Sequence, residues 1–139
     1  MRFCLALLAV SSLCACGPRE LRVTMKPDNN SGQSGFAVIQ ELANELLITV
    51  ETSIPDYQGP MGQLAHIHKG NCGEIGDIVV GLDRLKLLSN QERWGSTTRK
   101  KYAEITIKFD DFKKGDWAIN VHDERDNPVY VSCGEVPKP

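Results

Sequence analysis

Every histidine of the chain sits in one of two short segments, and both segments alternate as β-strands do. In Ala65-His66-Ile67-His68 a period of two turns His66 and His68 to one face and Ala65 and Ile67 to the other. In Trp117-Ala118-Ile119-Asn120-Val121-His122 the residues Trp117, Ile119 and Val121 form the apolar face, so His122 points away from it. Side chains two residues apart along a strand start about 7 Å from each other, close enough for two imidazoles to converge on one ion. A third imidazole from a neighbouring strand completes a facial or T-shaped set, which suits copper, zinc, iron or nickel. The competing reading is three scattered surface histidines, because His-x-His pairs also arise by chance.

The cysteines bear on the compartment. The chain has 139 residues, three histidines and five cysteines. Met1-Arg2 is a minimal positive start, and Phe3 to Ala15 is an apolar, small-residue stretch of signal-peptide length. It is shorter than the roughly 20 residues of a membrane span. It ends in Leu13-Cys14-Ala15-Cys16-Gly17, which resembles a bacterial lipobox; an ordinary secretory signal is the alternative. On the lipobox reading residues 1–15 are a signal peptide that takes Cys4 and Cys14 with it, and Cys16 carries the lipid. Cys72 and Cys133 then remain to pair in an oxidising compartment. Their bridge would close a loop of about 60 residues, worth about 4 kcal/mol in the chain-entropy account. The implied location is the bacterial cell envelope, with the protein lipid-anchored to a membrane on the periplasmic or outer-surface side. Gly17 is not the Asp associated with inner-membrane retention, which favours the outer membrane.

Composition is that of an ordinary globular chain, 41% hydrophobic and 24% charged. A net charge of −2 gives no footprint for nucleic acid, and Arg99-Lys100-Lys101 is too short to make one. Residues 16–34 read as the lipidated N-terminus, a first strand over Arg19 to about Lys26, and a turn-rich loop. Residues 35–139 read as the remainder of one β domain. Strands are expected over Phe36–Ile39 and Leu46–Thr52, joined by a hairpin at Glu41–Glu45 or by one turn of helix. Further strands are expected over Leu64–His68, Ile78–Leu82, Trp117–His122 and Pro128–Cys133, with a short one at Leu85–Leu88. Asn90–Lys101 is polar and basic and reads as a solvated loop. Ala103–Phe109 shows the strictest alternation in the chain and reads as its clearest strand. Many short strands at regular spacing imply an all-β sandwich or barrel.

Taken in order, Gln63-Leu64-Ala65-His66-Ile67-His68-Lys69-Gly70-Asn71-Cys72, Asn120-Val121-His122-Asp123 and Val131-Ser132-Cys133-Gly134-Glu135-Val136 resemble the copper/zinc superoxide dismutase family. The resemblance covers about Gln63 to Val136; the block Ala65–His68 alone is also seen in chordin-type (CHRD) domains. It implies a Greek-key β-barrel with metal held outside the barrel. It also implies His66, His68 and His122 as copper ligands and Cys72–Cys133 as the disulfide. The departures are equally specific. No histidine lies between Cys72 and His122, so the bridging histidine and the zinc site are lacking. Tyr130 stands where the family has its anion-docking arginine, and Arg125 is in the wrong slot. Asp126 matches a family acid whose zinc-side partner is missing, and reads more simply as a solvated loop residue. The expectation is a protein that binds one copper ion, with zinc as the lesser candidate, and does not dismutate superoxide efficiently. The alternatives are a copper-only dismutase and a metal-free β-domain that binds a protein or the cell envelope.

Overall fold

Strand formation follows the alternation of apolar and polar residues most plainly in the first hairpin. We describe the protein from a computed structural model, which covers residues 17, 19–53, 62–89, 92–123 and 129–138. In β2 (Gly35–Leu42) Ala37 and Ile39 are fully buried, and in β3 (Glu45–Thr52) Leu46, Ile48, Val50 and Thr52 are. The two pair antiparallel from Gly35↔Thr52 to Leu42↔Glu45, leaving Ala43 and Asn44 as a tight turn rather than a turn of helix. β1 (Glu20–Pro27) pairs with β2 along its first six residues.

Beyond this hairpin come β4 (Ala65–Asn71), β5 (Glu74–Gly81), β6 (Lys86–Leu87) and β7 (Trp94–Lys101). A 3-10 helix over Phe109–Lys113 leads to β8 (Trp117–His122) and β9 (Tyr130–Glu135). All nine strands join one curled antiparallel sheet in the order β5-β4-β8-β9-β1-β2-β3-β7-β6. The chain that connects the two ends of that order, from β5 to β6, is held along the start of β4. Leu82 donates its backbone N–H to Ala65 O, and Gln63 and Leu85 exchange backbone hydrogen bonds, just before β6 pairs with β7. The concave side holds the core, built on Val23, Ile39, Ile48, Ile67, Ile119 and Phe112. A polar knot closes one end of it. The buried amides of Gln33 and Gln63 bond reciprocally, and Gln33 also donates to the Thr52 hydroxyl.

Two segments differ from their sequence pattern. Asn90–Lys101 is not a solvated loop, because its described part from Trp94 onward is β7, paired with β3 over eight residues. Trp94 and Thr98 face inward while Thr97, Arg99 and Lys101 face solvent, and Arg99 bonds Glu45 across the strands at 2.5 Å. Weakly apolar residues suffice here because the full-length ladder with β3 holds the strand, with β6 adding pairs only at Trp94 and Gly95. Ala103–Phe109, in contrast, forms no strand. After Lys101 the chain turns through residues 102–104. Its alternation serves instead to drop Ile107 and Phe109 into the core, while Ala103 stays exposed. The segment makes no ladder with any strand of the sheet, whose order ends at β6. Local bonds favour the 3-10 turn, with Lys108 donating its backbone N–H to the Asp111 carboxylate at 2.8 Å.

β5 begins at Glu74, four residues earlier than its apolar run, so Cys72–Gly73 becomes a hairpin turn. The β4–β5 ladder shifts register on both sides of His68. Gly70 makes the second shift, with φ of 97°, and a Cβ there would meet Glu74 O at 2.2 Å. Gly70→Ala is expected to destabilise the protein by about 1–3 kcal/mol, read as a lowered urea midpoint with an unchanged m-value.

Candidate metal centre

The pairing of β4 with β8 builds the site. His66 lies directly across from Asn120, and Ile67 across from Ile119 in the core. The alternation that buries Ala65, Ile67, Ile119 and Val121 therefore places His66, His68, Asn120 and His122 together on the other face. That face is covered rather than open. His68 and His122 are each 3% exposed, and His66 is half-buried. The backbone N–H of His122 donates to Leu64 O at 2.8 Å, fixing the end of β8 against the start of β4.

The imidazoles meet edge to face. The His66 and His122 ring centroids are 4.7 Å apart at 78°, and His66 Nδ1 lies 2.9 Å from His122 Nε2. At that separation one nitrogen carries a proton for the other, a role an ion takes over when both coordinate it. His68 Nδ1 lies 2.9 Å from Gly76 O, so it holds the ring proton and donates it to that carbonyl. The lone pair is thereby left on Nε2, which is buried without a hydrogen-bond partner. A backbone carbonyl that sets the tautomer of a ligating histidine is the usual outer support of a metal site. One donor nitrogen from each histidine falls within 4.8 Å of the other two. Nitrogens bound to one ion at about 2.0–2.1 Å span at most about 4.2 Å, so a small contraction completes the set. Among the described residues this is the one cluster of three or more potential His, Cys, Asp or Glu ligands.

Electrostatics favour the binding form at His66. Burial, then the neighbouring His68, lowers the pKa of His66 below its ordinary value. A neutral imidazole is the form that coordinates metal.

Tyr130, on β9, covers the cluster. Its ring stands edge-on to His122 at 4.9 Å between centroids, and 6.4 Å from His68. Cys72 and Cys133 are bonded, with sulfurs 2.08 Å and Cα atoms 5.9 Å apart, linking the β4–β5 turn to β9. Cys72 also donates its backbone N–H to Glu135 Oε1. Sequence reasoning missed two parts of the site. Gly76 went unnoticed because it precedes the strand expected from Ile78, and only the hairpin register brings its carbonyl to His68. Asn120 was signalled by the pattern, as a polar residue two before His122 on the same face. The expected lipidation residue Cys16, the expected signal segment 1–15, and Arg125 and Asp126 lie outside the described residues.

Compared with protein-family models, curated proteins and solved structures, the chain matches none. Fold and site together define an all-β protein whose three clustered histidines can bind a metal ion.

The sign of the pH response follows from His66. Below the ordinary imidazole pKa of about 6.5, the unfolded chain takes up a proton that folded His66 resists. Stability is therefore lost as pH falls from that value toward the lowered folded pKa. The urea midpoint of the metal-free protein is expected to drop between pH 7.5 and 5.5, and to drop less in His66→Gln.

Proposed function

We propose that this chain is a copper-binding lipoprotein of the bacterial cell envelope, built on a superoxide dismutase-like domain, that holds one copper ion without efficient dismutation. The observation that carries the reading is the convergence of the three histidine nitrogens within 4.8 Å on paired strands. His66, His68 and His122 would hold the ion; when bound, copper supplies reversible one-electron chemistry and an open position for an outside ligand. Three imidazoles suit copper in this role, and zinc is the natural competitor.

Strand order supports the fold part of the reading. β5 and β6 together act as one bent strand, bonded to β4 on one side and β7 on the other. Counted so, the sheet becomes a circuit of eight: β1, β2, β3, β7, β6 with β5, β4, β8 and β9. That is the strand number of the Greek-key barrel the resemblance implies. The cysteine pair supports export, since disulfides persist in oxidising compartments. The lipobox-like Leu13-Cys14-Ala15-Cys16-Gly17 supports anchorage through a lipid on Cys16.

Binding is favoured over turnover by what stands near the histidines. Where the resemblance calls for an arginine to dock the anion, the uncharged phenol of Tyr130 lies against His122. With no histidine between Cys72 and His122, nothing in the sequence can supply a bridging imidazole. Such a site suits sequestering, buffering or delivering copper outside the cytoplasm.

The reading is tested by copper counting with EPR. The protein, loaded with Cu(II) and desalted, is expected to keep one copper per chain. His66→Ala and His122→Ala should each lower the retained copper at least about tenfold. Retention unchanged in both variants removes the site. Dismutation in a cytochrome c competition assay should stay below the rate of free copper; a faster rate lost in the same variants would establish a copper-only dismutase instead. Cys16→Ala is expected to move the protein from the membrane fraction to the soluble fraction of a bacterial host, and membrane retention in that variant would refute the lipid anchor.

A further inference from the structure

Strand β8 carries one polar side chain that no hydrogen bond explains. Asn120 is completely excluded from solvent, and neither its Nδ2 nor its Oδ1 has a partner. An amide stripped of water and left unbonded opposes folding, and buried polar groups in native proteins are nearly always satisfied. Something other than the folded chain is therefore the natural partner of this one.

Its position says what. Asn120 shares the outer face of β8 with His122, opposite Ile119 and Val121. It stands directly between His66 on β4 and Cys133 on β9. Residues opposed on one face of a sheet have Cβ atoms about 4.5–5.5 Å apart, so the carboxamide adjoins the His66 imidazole. On its other flank the Cys133 sulfur is committed to the disulfide and is only a weak acceptor. The one place beside Asn120 where a strongly polar species belongs is the point on which the three imidazoles converge.

Given the reading above that these histidines hold a metal ion, we propose that Asn120 is a fourth protein donor to it, through its carboxamide oxygen on the buried side. The oxygen needs no deprotonation to act, and it adds no charge to a site shielded from water. It is harder than imidazole nitrogen and so favours a divalent ion over a monovalent one. With the inner side filled by Asn120, the described residues leave an outside ligand a path to the ion past half-buried His66 and Tyr130.

The experiment compares wild type, Asn120→Leu and Asn120→Asp, each loaded with one equivalent of Cu(II). Copper retention by wild type comes first, because its loss would refute the three-histidine reading itself. With that retention in hand, Asn120→Leu should still keep one copper, now with a shifted Cu(II) EPR spectrum and about tenfold weaker affinity. Asn120→Asp, which restores an oxygen donor, should bind at least as tightly as wild type. A spectrum and affinity in Asn120→Leu identical to wild type would overturn the proposal while leaving the histidine site standing. The metal-free proteins give a second readout. Asn120→Leu removes an unpaired amide and should raise the apo Tm, whereas a lowered Tm or failure to fold would mean a structural role for the amide and would also overturn the proposal.

Discussion

The register between β4 and β8 is the constraint on which both core and site depend. It sets Ile67 opposite Ile119 on the concave side and His66 opposite Asn120 on the other. Because side chains alternate with a period of two, a slip of one residue would exchange these sets. Imidazoles would then enter an apolar core, and isoleucines would take the place of ligands. Burial of Ile67, Ile119 and Val121 thus holds the histidines in position at no extra cost. Departures from regular pairing occur just where histidines are aimed, at the shifts flanking His68 and at the one between Val121 and His122.

A site of this kind works against the stability of the chain that carries it. His68 Nε2 and the Asn120 amide are buried without partners, and burial weakens the proton affinity of His66. The cost is met by features remote from the site. The core supplies most of it, the Gln33–Gln63–Thr52 knot closes one end, and Arg19 ties β2 to the 3-10 segment through Glu41 and Asp110. Arg19 also lies over the Phe109 ring, adding to the burial of Ile107, Phe109 and Phe112 that keeps the irregular segment against the sheet.

How much of this could be read in advance varied with the kind of signal. The histidine cluster was legible because His-x-His on a strand has one geometric meaning once the neighbouring apolar residues fix the face. The first hairpin and β8 were legible for the same reason. β7 was not, since Ser96, Thr97, Thr98 and Arg99 carry little hydrophobic signal and their strand depends on partners distant in sequence. Ala103–Phe109 misled in the opposite direction. Alternation records which residues are buried, as Ile107 and Phe109 are, but a strand also needs a ladder of partners, which this segment does not make. The support of His68 by Gly76 was hidden because backbone carbonyls leave no mark in residue type.

The link between Cys72 and Cys133 has a mechanical consequence. Their separation of 61 residues encloses β5 to β8, and with them His122, in a covalent ring. Tension applied between the ends of the chain passes through the sulfurs and leaves that ring unloaded. The fully stretched molecule is shorter by roughly 200 Å than its sequence length would allow. Pulling can peel away β1 to β4, yet the strands inside the ring bear no load until the bridge itself is broken.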